Sequence, residues 1–322
     1  MNNGNSPVWD KTFQVSDEVT VDKVTYKNRY GIDIAADLYL PKKVGKNTKL
    51  PAVIIGPPYG GVRQQGPGVY ANQLAERGFA ALAFDPSFNG ESGGSRRHIA
   101  SPEIFVEDFS AGVDFMGTRP FVDREKIAVI GICGSGGFSI AAAQVDTRIK
   151  AVVTASMYDI TRVASKGFMD SLTAEQRSAM LAQMNAQRYV DFLNGAPAMG
   201  PNGAPENVDE NTNPIGREFY DYYYTNRGHH PNATSRFSIT SGLPFMNFAL
   251  TEHIASISPR PIMFIIGENA HSRYFSEDLY KVAADPKELV VIPGANHVEL
   301  YDCTDKIPFD RIETFLKKAF SN

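Results

Sequence analysis

The chain has 322 residues, 43% of them hydrophobic and 21% charged, with a formal net charge of −4. Such a composition belongs to a globular protein with a large core. It contains no apolar run of about 18 residues that could cross a membrane, and no dense Lys/Arg run that would suit nucleic acid or an anionic membrane surface. Two cysteines cannot form a disulfide framework. The opening "MNNGNSPVWDKTFQVSDEV" lacks the basic-then-apolar pattern of a leader, so the expected compartment is cytoplasmic.

The first elements are two alternating runs, "VTVDKVTY" and "IDIAADLYLP", with Gly31 between them, and they read as an antiparallel strand pair. Short continuous apolar runs then recur: "LPAVIIG" (50–56), "FAALAFD" (79–85), "KIAVIGI" (126–132), "KAVVTAS" (150–156), "RPIMFIIG" (260–267) and "ELVVIPG" (288–294). Runs of this kind suit strands buried on both faces of a parallel sheet. Helical segments separate them. "VYANQLAERG" ends on Gly78, and "SPEIFVEDFSAGVDFMG" starts with Ser101 as N-cap and Pro102 at its first position. "SEDLYKVAAD" and "PFDRIETFLKKAF" complete the alternation. The predicted fold is α/β, a doubly wound and mostly parallel sheet.

About 100 residues between the runs at 150–156 and 260–267 are too many for a plain crossover of one helix and short loops. Thr173 and Gln176 form a capping-box pattern for a helix running towards Leu193. A Gly/Pro/Asn-rich loop and the aromatic cluster "FYDYYY" follow. The expected division is a core (18–158 and 259–322) interrupted by a helical cap (159–258). The tyrosines either pack the cap on the sheet or line a substrate pocket.

The stretch "IAVIGICGSGGF" (127–138) holds two candidate nucleophiles, Cys133 and Ser135. A nucleophile elbow needs a strand, a tight turn and a helix, with small residues about two positions either side of the nucleophile. Counted from Cys133, those positions are Gly131 and Ser135, and the strand before them is intact. Counted from Ser135, position −2 is Cys133 itself and the strand end is weaker. The count favours Cys133, leaving Ser135 and a purely structural Gly-rich turn as alternatives. A thiol at a helix N-terminus beside a histidine is expected to have a lowered pKa.

"GICGSGGFSIAAA" resembles the Gly-x-Cys-x-Gly-Gly elbow of the dienelactone hydrolase family, within the α/β-hydrolase superfamily, with Ser135 replacing the first Gly of the pair. "LPAVIIGPPYGG" resembles that family's oxyanion loop, "LAERGFAALAFDPSFNGESGG" its strand and Asp-x-x-Gly-x-Ser-type turn, and "VVIPGANHVELYD" its histidine loop. The resemblance spans most of the chain outside the cap and implies a cofactor-free hydrolase of carboxylic esters, lactones or thioesters. It makes His297 the general base and puts the oxyanion donors at the backbone of Gly134 with Tyr59 or Gly60. The usual acid position is Ala270, a departure from the family, which leaves Glu268 or Asp159 as the orienting acid. His271 and Arg273 are candidate substrate contacts. His98, His229, His230 and His253 read as loop or cap histidines, and Cys303 as a bystander. No metal-ligand or nucleotide-binding pattern is present, so the expected partner is a small molecule and neither metal nor cofactor is expected. A non-catalytic binding protein on the same fold is the competing function.

Overall fold

The computed structural model describes residues 10–45 and 48–321. The opening pair forms β1 (Val19–Lys27) and β2 (Asp33–Pro41), antiparallel in unbroken register from Val19↔Pro41 to Lys27↔Asp33. The six apolar runs form β3 (Leu50–Gly56), β4 (Ala80–Phe84), β5 (Val122–Ile132), β6 (Ala151–Ala155), β7 (Ile262–Gly267) and β8 (Lys287–Ile292). They join one sheet of order β1-β2-β4-β3-β5-β6-β7-β8. β2 pairs antiparallel with β4, and every later pairing is parallel. This is the α/β-hydrolase fold. β5 starts four residues earlier than its apolar run, because Leu50 of β3 pairs with Val122 across an irregularity in the ladder.

Among the described residues ten α-helices flank or overlie the sheet: α1 (Gly66–Glu76), α2 (Pro102–Gly117), α3 (Gly134–Val145), α4 (Ile160–Lys166), α5 (Ala174–Asn194), α6 (Pro214–Tyr223), α7 (Gly242–Phe245), α8 (Arg273–Val282), α9 (Glu299–Asp302) and α10 (Phe309–Ala319). Strand side chains alternate between faces, and the core divides accordingly. Ile54, Leu82, Val129 and Phe264 meet α2, α3 and α8, while Val53, Ala81, Ile130 and Ile265 meet α1 and α10. Ser101 caps α2 by accepting from the Ile104 N–H, and Thr173 with Gln176 closes a reciprocal box at the start of α5.

α4 to α7 lie between β6 and β7 and pack over the carboxyl ends of the strands. Tyr222 accepts from the Gly66 N–H, Gln65 donates to the Gly228 carbonyl, and Arg227 pairs with Asp302. His230, expected in a solvated loop, is instead buried there and its Nδ1 accepts from the Asn232 N–H. His253 precedes only a single 3-10 turn, Ile254–Ile257. Among the described residues, no helix is long and apolar enough to cross a membrane.

β3 and β5 are neighbours, but the chain leaves them towards opposite edges of the sheet, which creates a crevice at their carboxyl ends. The site described below stands there. Ile54, fully buried on β3, holds α2 to the sheet. Ile54→Ala will destabilise the protein by about 2–5 kcal/mol in urea unfolding; a change below about 1 kcal/mol would contradict this packing.

Candidate active site

β5 ends at Ile132, and the chain turns at Cys133 with φ +52° and ψ −119° directly into α3. A side-chain-bearing residue at positive φ is strained, and three backbone hydrogen bonds hold it. The Cys133 N–H donates to the Ala155 carbonyl at 2.9 Å, and its own carbonyl accepts from Gly136 and Tyr158 at 2.9 Å each. The turn is as crowded as the sequence argument requires: a Cβ on Gly131 would lie 2.1 Å from the Ser135 carbonyl oxygen. Ser135 is not at the elbow. It sits in the first turn of α3 with its hydroxyl packed towards β3, 2.7 Å from where a Cβ on Gly56 would be.

The Cys133 sulfur faces the Tyr301 hydroxyl and the backbone N–H groups of Tyr59 and Gly134, all three of which favour the thiolate. Of the two candidate loop residues, Tyr59 is the one whose backbone N–H faces the sulfur. At the neighbouring Gly60 the loop meets the chain crossing over it, and a Cβ there would lie 2.5 Å from Ser235 Cα. Burial pushes the thiol pKa up, and these three neighbours offset this only in part. The expected lowering does not occur, because desolvation of the thiolate outweighs the helix terminus.

His297 is fully buried. Its Nε2 lies 2.8 Å from the Tyr301 hydroxyl and its Nδ1 2.6 Å from the Ser272 hydroxyl. Burial, with His271 as a lesser cause, holds its pKa well below the usual value. The ring is therefore neutral and presents one donor and one acceptor. With Nδ1–H donating to Ser272, Nε2 accepts from Tyr301, whose oxygen is free to accept from the thiol. A line of neutral groups, Cys133, Tyr301, His297 and Ser272, stands where a thiol–imidazole–carboxylate triad was expected.

Neither candidate acid reaches His297. Glu268 is exposed and accepts the Gly294 N–H at 2.8 Å, pinning the turn before the histidine. Asp159 caps α4, accepting from Arg162 N at 2.9 Å, Thr161 Oγ1 at 2.6 Å and Thr251 Oγ1 at 3.0 Å. Arg273 is occupied by Glu277 and the Glu268 carbonyl. His271 is in the site, its ring 4.7 Å from that of His297 and in contact with Tyr158 and Phe219. Its Nε2 is buried with no hydrogen-bond partner, and burial lowers its pKa to about 4. Sequence reasoning missed Tyr301, Ser272 and Ser156. Tyr301 stands one helical turn past His297, and Ser272 two residues beyond the expected acid position. Ser156, at φ +45°, donates to the His297 carbonyl at 2.7 Å. Among the described residues, no group of three or more His, Cys, Asp or Glu is placed to hold a metal ion.

A model of the X-Pro dipeptidyl-peptidase (S15) family matches residues 30–197, a stretch from the opening strands through the elbow to α5. The chain belongs to this family. That makes it a hydrolase of the α/β-hydrolase superfamily; the resemblance to dienelactone hydrolases is one of motifs within that superfamily. The S15-family chain is 54% identical to the uncharacterized protein PA2218 of Pseudomonas aeruginosa over 95% of its own length and 83% of that protein's. The crystal structure of PA2218 superposes with a TM-score of 0.94 at 52% identity, covering 99% of each chain. YcjY of Escherichia coli is 32% identical over 86% of this chain and 91% of its own. The thiohydrolase aneE of Aspergillus aculeatus is 23% identical over 88% of each.

The buried histidines make a prediction about pH. His271 has a folded pKa of about 4 against 6.5 in the unfolded chain. Between these values the unfolded state binds the extra proton, so stability falls as pH drops through that window, by up to about 1.4 kcal/mol per unit. Asp108, buried and raised to about 7, contributes with the opposite sign, so the histidine must be isolated by difference. Urea unfolding of wild type and His271→Asn at pH 7 and pH 5 will show the wild type losing about 2 kcal/mol more than the variant. An equal loss in both would refute the buried, neutral assignment.

Proposed function

We propose that this hydrolase cleaves thioesters and similarly activated esters through Cys133, with residues 159–258 acting as a helical cap between the core pieces 18–158 and 259–322. The observation that carries the reading is the sulfur itself, presented at a positive-φ elbow to two backbone N–H groups and a tyrosine hydroxyl.

In the first step the Cys133 thiol passes its proton to the Tyr301 oxygen while the Tyr301 proton moves to His297 Nε2. The sulfur forms a bond to the substrate carbonyl carbon. The negative charge that develops on the carbonyl oxygen is met by the N–H groups of Tyr59 and Gly134, already aligned and shielded from water. Collapse expels the leaving group, which takes up the proton held on His297 through the Tyr301 hydroxyl, and leaves an acyl group on Cys133 with the relay neutral again. Water then attacks that acyl group, gives a proton to the relay, and the Cys133 sulfur leaves as the thiol.

The leaving group decides the substrate class. His297 has Ser272 at Nδ1 in place of a carboxylate, so the imidazolium formed in the first step gains no ion-pair stabilisation. A thiolate, whose conjugate acid has a pKa near ~8.5, departs without needing strong protonation; an amine does not. Thioesters fit this chemistry best, activated esters next and amides least, despite the peptidase name of the family. Tyr158, Phe219 and His271 surround the histidine and favour an apolar or aromatic acyl group.

The test compares wild type, Cys133→Ala, Ser135→Ala and Tyr301→Phe on acyl thioesters, p-nitrophenyl esters and p-nitroanilides, with mass spectrometry of the acylated protein. Cys133→Ala is expected to lose at least about 10³-fold in rate and Tyr301→Phe about 10²-fold, with Ser135→Ala within tenfold of wild type and the adduct on residue 133. An adduct on Ser135, or turnover that survives Cys133→Ala, would end the thiol reading. Faster anilide than thioester cleavage would end the substrate assignment.

A further inference from the structure

We infer that the outward face of α5 is a self-association surface, on which a second copy of this chain docks in antiparallel orientation about a two-fold axis. α5 is held to the rest of the molecule along one narrow stripe. Met184 packs on Gly242, Arg177 donates to the Met246 carbonyl, and Asp191 accepts from the Ala198 N–H. The remainder of the helix faces solvent.

That free face is unusually apolar. Of the twelve large hydrophobic side chains exposed among the described residues, five lie on α5. Four of those fall within its last six residues: Tyr189 at 79% exposed, Val190 at 47%, Phe192 at 86% and Leu193 at 83%. No hydrogen bond is recorded for the Tyr189 hydroxyl among the described residues, and exposure on this scale marks contact surfaces more often than free ones.

Spacing identifies the occupant as another helix. Ala179, Ala182, Ala186, Tyr189 and Leu193 follow one another at intervals of three and four residues, all exposed and on one side of α5, the seam of a two-helix pair. The order of sizes selects a second copy in antiparallel orientation. Small residues occupy the N-terminal half and large ones the C-terminal half, so reversal about a two-fold sets Tyr189 of one copy over Ala179 of the other and Ala182 over Ala186. A two-fold contact of this kind is self-complementary and closes at two chains. Parallel pairing would stack large on large and oppose the two Glu175 carboxylates, the only charges in line with the seam.

The surface is also large enough. Aromatic side chains carry about 150–250 Å² each, so Tyr189 and Phe192 with Leu193, Val190 and the alanines offer on the order of 600–700 Å² per copy, close to the ~800 Å² of a standard interface. A lipid surface is the poorer match, because the exposed face of α5 has Arg188 as its one basic residue, whereas helices lying on membranes are rich in Lys and Arg.

Sedimentation velocity between about 1 and 100 µM is expected to show twice the monomer mass for wild type and the monomer mass for Tyr189→Glu and Leu193→Glu, with unchanged circular dichroism and hydrolysis rates. Oxidising a mixture of Ala182→Cys and Ala186→Cys chains will give a disulfide-linked dimer, and either chain alone will give at least tenfold less. A monomeric wild type across that range overturns the inference, as does a dimer that survives both glutamates. Wild type that stays monomeric but floats with neutral phosphatidylcholine vesicles would assign the face to lipid instead.

Discussion

The site depends on one strained residue. Cys133 holds a left-handed backbone conformation that costs a residue with a side chain about 1–2 kcal/mol, and it can do so because β5 and β6 hold it from both sides. Its N–H is bound by Ala155 at the end of β6 and its carbonyl by Tyr158 just beyond. A second positive-φ residue, Ser156, stands between those two partners and carries the hydroxyl that holds the His297 carbonyl. The same three residues that surround the strained turn at Cys133 thus fix the height of the histidine. Relaxing the elbow would release both.

The loop from β3 to α1 is anchored by buried charge. Arg63 is 1% exposed, and its backbone N–H and guanidinium both engage Asp85, while Nε reaches Asp37 at 3.0 Å and Nη2 reaches Glu91 at 2.8 Å. Lys11 joins at Asp37 from the start of the described chain. Buried ion pairs are weak evidence for stability, but removing one partner leaves an uncompensated charge and is strongly destabilising. Here that asymmetry serves position. The loop from β3 to α1 cannot shift its Tyr59 N–H without dragging Arg63 away from Asp37 in the middle of β2 and Asp85 just past the end of β4.

What was legible in the sequence was what depends on local crowding and on runs of one character. The parallel strands were readable because their runs are continuously apolar and the opening pair because it alternates, the capping box because its four residues are contiguous, and the elbow because small residues at fixed offsets are a steric requirement of the turn. The partner of His297 was not readable. Ser272 and Tyr301 reach the ring from α8's first turn and from α9, and neither residue type signals a role in orienting a base. The search for a carboxylate found Glu268 and Asp159, both of which serve backbone N–H groups instead. The thiol's raised pKa was equally hidden, since it follows from how completely the overlying segment excludes water.

That segment is part of the site's construction as well as its cover. Glu218 of α6 accepts the N–H groups of His297 and Val298, and Arg227 pairs with Asp302 at the end of α9. Tyr223 of α6 is buried beside Tyr301 and is close enough to perturb it electrostatically. On the reading proposed above, α6 therefore holds the histidine loop in place and helps to keep the Cys133 thiol dry, so cover and site are one piece of construction.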